Sequence, residues 1–453
     1  MLELKDKKVL IAGLGLSGKA VLEKLSSEGA QIAVYDLKDI EWDDPRLFKK
    51  LEITQIPAFL NGIEVPDEDW DYVVLSPGIP MDTQFVKNAR KRGSRIMGEL
   101  ELAYELGHGK YIAITGTNGK TTTTTLVGKI FSNAGEKNIV GGNIGTPVIS
   151  SIDDSDDSTF LVTEVSSFQL ESVIDFKPNI SAILNLTPDH MDRHKNMENY
   201  SATKARIFEN QDMDDYLIYN YDDEAVCKMV QTAKCNKIPF SRKHELDMGA
   251  FVKNGKIVIR DQNGVTEQLI DADELTIQGP HNLENALAAA AIAYFAGIKP
   301  HVIGRTIKDF DGVSHRLELV TTKRGIKFVN DSKGTNTDAS MRAIDAIGKG
   351  IFLIAGGFEK NSDFKEFIRS FDGRVKHLLL IGETAERIKA DAEELGFTDI
   401  TLCADMGACV RAGYEYAQEG DTVLLSPASA SWDMYKNFEE RGDHFRKVVE
   451  ELK

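Results

Sequence analysis

An α/β chain of three domains is what this sequence predicts, on three observations. Short β-branched runs alternate with helical patterns along its length, which argues for parallel sheets built from strand–helix–strand units. Two strand-to-helix junctions, "GLGLSG" and "GTNGKT", are glycine turns of the kind that hold phosphates. A further strand–helix block begins after the loop "DFDGVSHRLE". The expected division is an N-terminal Rossmann-like domain over 1–98, a central P-loop ATPase-like domain with a mixed sheet over 99–313, and a C-terminal Rossmann-like α/β domain over 314–453.

The bulk numbers agree with that division. At 453 residues the chain exceeds what one core fills. A hydrophobic share of 42% and a charged share of 28% are those of a globular protein. A formal charge of −17 argues against a nucleic-acid or anionic-membrane partner, so any bound anion must be caught by local groups. The opening "MLELKDKKVLIAGLG" has no apolar leader, and a cytoplasmic location is expected. The longest apolar run, "ALAAAAIAYFAGI", is too short to cross a bilayer and reads as a buried helix closed by Gly297 and Pro300. Cys227, Cys235, Cys403 and Cys409 show neither a CxxC pair nor zinc spacing and read as reduced thiols.

In chain order the expected strands are "KVLIAG", "QIAVYD", "DYVVLS", "YIAIT", "TFLVTEV", "SAILNL", "KFVND", "IFLIAG", "HLLLIG" and "DTVLLS". The helix "TQFVKNARKRG" closes the first block near residue 98. Residues 245–275, with two Asn-Gly pairs, predict an antiparallel meander inside the central block. The patch "DDSDDS" reads as a solvated loop.

The first glycine turn spaces Gly13, Gly15 and Gly18 as a dinucleotide-binding turn does, and Asp36 ends the next strand. Taken alone it suggests a nicotinamide enzyme. The second turn, "YIAITGTNGKTTTTTLVGKIF", is a shortened phosphate loop in which Gly116 supplies the first glycine. There Lys120 is placed to reach phosphate oxygens and Thr121 to ligate Mg²⁺. Glu164 ends a buried strand, and the loop after "SAILNL" brings Asp189, His190, Asp192 and His194 to a strand end. Carboxylates with a neutral imidazole suit Mg²⁺.

Together, "GTNGKTT", "TEVSSFQL", "NLTPDHMDRH", "GPHNLENALAA", "HRLE", "NDSKGTN" and "LSPASASWDMYKNFEERG" resemble the Mur ligase family of ATP-dependent amide-forming enzymes. The resemblance runs in order through all three blocks. It implies that ATP phosphorylates the L-alanyl carboxylate of UDP-N-acetylmuramoyl-L-alanine and that D-glutamate attacks the resulting acyl phosphate. The step belongs to cytoplasmic peptidoglycan precursor synthesis; a monomer is expected, though the sequence itself carries no signal for the oligomeric state. The absence of the "DNPR" signature argues against a later ligase of the same route.

The implied site follows residue by residue. Gly116, Thr117, Asn118, Gly119, Lys120, Thr121 and Thr122 hold the ATP phosphates. Asn282, Asn285, His315, Arg316 and Asp331 hold the rest of the nucleotide, between the central and C-terminal blocks. Thr121 and Glu164 take a first Mg²⁺, and His190 with Lys204, carbamylated in the family, a second; unmodified, Lys204 reads as a solvated helix lysine. Lys120, His190, Lys204 and Lys333 are the implied catalytic set. The UDP substrate falls to Leu16, Ser17, Asp36, Lys38, Ser76, Gly78, Asn143 and His190. D-Glutamate falls to Thr335, Lys360, Ser431 and Phe438, with Phe358 standing where many relatives carry an acidic residue. A hinge is expected near 310–315.

Two rivals fit less of the chain. A folylpolyglutamate synthase-like ligase shares the ATP module but lacks the first 98 residues. A nicotinamide-dependent oxidoreductase gives the "GKT" loop and the acidic cluster no task.

Overall fold

The computed structural model describes residues 2–37, 45–61, 63, 65, 68–277, 279–358 and 364–452. The chain forms two compact units, Met1–Phe310 and Asp311–Lys453. Lys38 and Lys360 lie outside the described residues. No helix is long and apolar enough to cross a membrane among those described.

The first unit holds two sheets. One is fully parallel, with strands β1 (Lys8–Ala12), β2 (Gln31–Tyr35), β3 (Ala58–Phe59), β4 (Tyr72–Leu75) and β5 (Arg95–Gly98) in the order β3-β2-β1-β4-β5. Its strands are apolar runs because helices cover the sheet: the helix Leu16–Ser27 turns Val21, Leu22 and Leu25 inward. The strand order reverses at β1, so the first glycine turn opens into the crevice between β2 and β4.

The other sheet has nine strands. These are β6 (Lys110–Thr115), β7 (Asn138–Gly142), β8 (Phe160–Glu164), β9 (Ile180–Ile183), β10 (Tyr216–Asn220), β11 (Asn236–Ser241), β12 (Gly249–Lys253), β13 (Lys256–Arg260) and β14 (Thr266–Asp271). They lie in the order β14-β13-β12-β11-β10-β9-β6-β8-β7. All neighbours are parallel except β12–β13 and β13–β14, which form the meander. The β12–β13 turn is Asn254-Gly255, both at positive φ, as a tight hairpin requires. The apolar run lies in the helix Pro280–Phe295 as far as Phe295, and Ala286–Ala293 are wholly buried. It packs against the helix Lys120–Ala134.

The two sheets are fastened by buried carboxylates. Glu101 accepts from the N–H groups of Ile174, Asp175 and Phe176 at 2.8, 2.7 and 3.1 Å, and Glu99 accepts from Ile149 N–H at 2.8 Å. Burial pushes the Glu99 carboxyl up to about 7 and raises that of Glu101.

The second unit is one sheet of β15 (Glu318–Lys323), β16 (Ile326–Asn330), β17 (Ile351–Ala355), β18 (Val375–Leu380), β19 (Ile400–Leu402) and β20 (Thr422–Leu425). Its order is β15-β16-β20-β17-β18-β19, parallel except for the edge strand β15. The four cysteines are free.

Candidate active site

The first glycine turn is built by close approach. A Cβ on Gly18 would sit 1.8 Å from Gly13 O, and one on Gly13 2.7 Å from Ser76 Cβ; Gly15 has open space around it. Ser76 Oγ donates to Gly13 O at 2.8 Å, and Asp36 Oδ2 accepts from Leu14 N–H at 2.6 Å. Asp36 and Ser76 therefore hold the turn's shape, leaving Gly15 and Leu16 exposed and Ser17 half-buried at the start of the helix Leu16–Ser27. An exposed helix N-terminus at a sheet's switch point suits a diphosphate. Gly78 is exposed on the loop after β4.

The second glycine turn follows β6, where the nine-stranded sheet reverses order between β8 and β9. Gly119 caps the helix Lys120–Ala134 in the left-handed conformation at φ 82°, which points the next amides toward the loop's interior. Lys120 Nζ folds back and donates to Gly116 O and Thr117 O, each at 2.8 Å. Thr121 and Thr122 are buried in the first helical turn.

A residue with no part in the sequence expectations sets the loop. Asn185 Oδ1 accepts from Asn118 N–H at 2.8 Å, and its amide donates back to Asn118 O at 3.1 Å. Thr117 Oγ1 accepts from Thr187 N–H at 3.0 Å and donates to Thr187 O at 3.1 Å. On the other flank, Asn285 Oδ1 accepts from Thr123 Oγ1 at 3.3 Å, while Asn285 Nδ2 donates to Asn282 Oδ1 at 3.3 Å. Both asparagines thus stand beside the loop.

Glu164, at the end of β8, is buried. Its Oε1 accepts from Asn143 Nδ2 at 2.8 Å, and its Oε2 is buried without a partner among the described residues. An orphaned carboxylate oxygen beside a phosphate loop fits a divalent cation, since leaving it unpaired is otherwise costly. Asn143 is placed on that carboxylate.

Lys204 departs from the solvated alternative. Only 1% of it is exposed; Nζ donates to Gly116 O at 3.0 Å and Thr115 Oγ1 at 3.2 Å, and it lies 4.9 Å over the Tyr200 ring. Burial, aided by the Lys120 charge, drives its amine well below the ordinary lysine range, while Asp189 and Glu164 pull the other way.

Among the described side chains, which do not include that of Asp192, the loop after β9 does not gather its acidic and imidazole groups into one cage. Among the described residues, the ligating atoms of Glu164, Asp189, His190 and His194 include no three within 4.8 Å of one another. His190 sits at φ 55°, half-exposed, with its ring 4.8 Å from Phe168. His194 is buried, bonded to Ser167 Oγ at 3.0 Å and stacked on Phe168, so it is a packing residue. Arg193 donates to Glu171 Oε2 at 2.6 Å and to the carbonyls of Gly78 and Ile79 at 3.3 and 3.1 Å, tying this loop to the one after β4.

In the second unit, His315 is at φ 62°, with Nδ1 3.0 Å from Asn330 Nδ2. Asp331 accepts from Ser426 Oγ at 2.7 Å and Leu317 N–H at 3.2 Å, and burial pushes its carboxyl up to about 6. The Arg316 charge opposes that rise. Lys333 Nζ lies 5.9 Å over the Phe438 ring. Thr335 is half-buried, Ser431 is buried, and Phe358 packs against Trp432 at 5.6 Å. Arg441, also outside the sequence expectations, is buried and donates to Ser332 Oγ, Ser332 O and Ser429 O at 3.0, 2.8 and 3.0 Å. It joins the segments that carry Lys333, Ser431 and Phe438, and burial lowers its guanidinium to about 10.

Three family models match. A Mur ligase MurD-like N-terminal domain covers residues 7–98, a Mur ligase middle domain 114–293, and a Mur ligase glutamate ligase domain 315–429. The UDP-N-acetylmuramoylalanine–D-glutamate ligase of Thermoanaerobacter sp. (strain X514) is 49% identical over the whole of both chains, and that of Clostridioides difficile (strain 630) is 44% identical over the whole of both. Among solved structures, the UDP-N-acetylmuramate-alanine ligase MurC of Thermotoga maritima aligns with a TM-score of 0.56 at 17% identity, over 99% of this chain and 100% of that one. The MurF ligase of Thermotoga maritima in complex with ADP aligns with a TM-score of 0.55 at 16% identity, over 99% and 96%.

Proposed function

This chain belongs to the Mur ligase family, and from that premise we propose that it joins D-glutamate to UDP-N-acetylmuramoyl-L-alanine with hydrolysis of ATP. The supporting observation is the arrangement at the end of β6. A phosphate loop carries Lys120, and beside it stand an unpaired buried carboxylate oxygen on Glu164 and a buried amine on Lys204. The full-length likeness to D-glutamate ligases supports the choice of amino acid.

In this reading the γ-phosphoryl group passes to the L-alanyl carboxylate. The D-glutamate amine then attacks the acyl carbon, a C–N bond forms, and the C–O bond to phosphate breaks with release of inorganic phosphate. Thr121 and Glu164 hold one Mg²⁺, and His190 with a carbamylated Lys204 a second. When bound, the metal offsets the charge of the crowded phosphates and carboxylate. Lys120 leaves the loop carbonyls for the phosphates, and Lys333 stands by the acyl phosphate. Asn282, Asn285, His315, Arg316 and Asp331 take the remainder of the nucleotide. The turn from Gly15 to Ser17 holds the uridine diphosphate, with Asp36 fixing the turn and Lys38, Ser76, Gly78 and Asn143 around the substrate. Thr335, Lys360, Ser431 and Phe438 seat D-glutamate. The domains are 1–98, 99–313 and 314–453, and the enzyme works as a cytoplasmic monomer.

Phosphate release by the purified chain tests this reading. Turnover is expected only with ATP, UDP-N-acetylmuramoyl-L-alanine and D-glutamate together. Equal turnover with L-lysine, or none with D-glutamate, overturns it.

A further inference from the structure

A cavity of about 340 Å³ opens where the N-terminal sheet meets the segment Glu171–Ile174. Arg90, Ser94 and Ile96 form one wall, and Glu171, Ile174 and Arg206 the other. None of the residues assigned above to ATP, the UDP substrate or D-glutamate lines it. Its size lies in the range that encloses a small organic molecule.

Three features of the wall call for an occupant. Ser94 Oγ is buried without a hydrogen-bond partner among the described residues, a state that costs stability unless something pairs it. Arg90 is an exposed guanidinium with no side-chain partner among the described residues. Ile174 keeps 38% of its surface exposed beside the well-buried Ile96, leaving an apolar face uncovered. The charges leave a positive excess. Glu171 is neutralised by Arg193 at 2.6 Å, and Arg206, held by the carbonyls of Leu170, Glu171 and Val173, is paired with Glu209 at 3.0 Å, so the excess charge on the wall is that of Arg90.

We infer that this cavity binds a small amphiphilic anion, with its acidic head on Arg90 and a short apolar body against Ile96 and Ile174. Its occupancy is linked to the substrate loop. Glu171 lines the cavity and holds Arg193, whose guanidinium also grips the carbonyls of Gly78 and Ile79. An occupant that stabilises Glu171 in place stabilises the same bracket on the loop after β4, so occupant and UDP substrate favour each other reciprocally. This coupling, unlike the binding itself, rests on the function proposed above.

Calorimetric titration of the full chain with 3-phenylpropanoate, and with 3-phenylpropanol as the uncharged control, tests the site. The acid is expected to bind saturably and the alcohol not. Arg90→Ala weakens binding at least about fivefold, and Ile174→Trp, which fills the apolar side from a partly exposed position, abolishes it. Thermal unfolding of both variants checks that they fold. No saturable binding, equal binding of acid and alcohol, or binding unchanged in both folded variants overturns the site. In the ligase assay, saturating 3-phenylpropanoate is expected to lower KM for the UDP substrate about twofold or more in the natural chain and not in Ile174→Trp. An unchanged or raised KM overturns the coupling. Loss of all ligase turnover with probe binding intact removes the proposed function and leaves the site standing.

Discussion

Two lysine amines meet on one acceptor: Lys120 Nζ and Lys204 Nζ both donate to Gly116 O, at 2.8 and 3.0 Å. Two like charges this close, one of them buried, cannot both be held without cost, and burial with Lys120 nearby drives Lys204 toward its neutral form. A neutral amine is the form that adds CO₂. In ¹³C-bicarbonate the natural chain is expected to show a carbamate carbonyl resonance that Lys204→Met lacks, and that variant loses at least ~100-fold in turnover. No resonance in the natural chain removes the carbamate. The linkage has a fixed sign: the unfolded chain binds the extra proton, so in CO₂-free buffer the natural chain gains stability relative to Lys204→Met as pH rises toward the ordinary lysine range. A flat or falling difference contradicts the neutral amine.

Asn185 shapes the phosphate loop through Asn118, 67 residues away. Asn185→Ala leaves the Asn118 amide and carbonyl without that partner and lets the loop drift. A rise in KM for ATP of about tenfold or more is expected, with binding of the UDP substrate unchanged. Equal damage to both substrates points to general unfolding instead.

The glycines of the first turn differ in what they tolerate. Gly18→Ala drives a Cβ to 1.8 Å from Gly13 O, so the helix must move, at a cost of about 1–3 kcal/mol or more in urea denaturation. Gly15→Ala meets nothing within 4 Å and is expected to leave the unfolding midpoint unchanged while raising KM for the UDP substrate. If Gly15→Ala leaves that KM unchanged, the turn does not hold the diphosphate.

Asp331 is pushed up to about 6, above the ordinary aspartate range. A carboxyl raised in the folded chain contributes stability at low pH, and that contribution is lost as pH rises through about 6. Relative to Asp331→Asn, the natural chain is expected to lose on the order of 2–3 kcal/mol between about pH 4 and 6.5. The misplaced amide of the variant adds a constant offset, so only the slope matters. A slope of opposite sign shows the carboxyl to be ionised and compensated.

Parallel-sheet interiors write themselves as apolar runs, which is why β1, β6, β8, β9, β17 and β20 were legible. Some strands that escaped are short or interrupted, while β10 ("YLIYN") and β15 ("ELVTTK") are continuous and escaped as well. β3 has two residues, β7 is "NIVGG", and β11 carries Pro239. The phosphate loop was legible because glycine, lysine and threonine encode it locally. Asn185, Arg193 and Arg441 were not, because each acts on backbone groups far along the chain that only folding brings near. Burial hid a different fact: no local pattern tells that Lys204, on a polar helix, points inward.

The alanine-rich helix Pro280–Phe295 sets a steric ceiling on change near the nucleotide loop. Ala286–Ala291 have no exposed surface, and the same helix carries Asn285 to within hydrogen-bonding reach of Thr123. At Ala286 and Ala288–Ala291 a larger side chain has to displace packed neighbours, so the helix must shift and carry Asn285 with it. Escape from a ligand lodged at this loop is therefore confined to its rim, because the wall behind it has no volume to give.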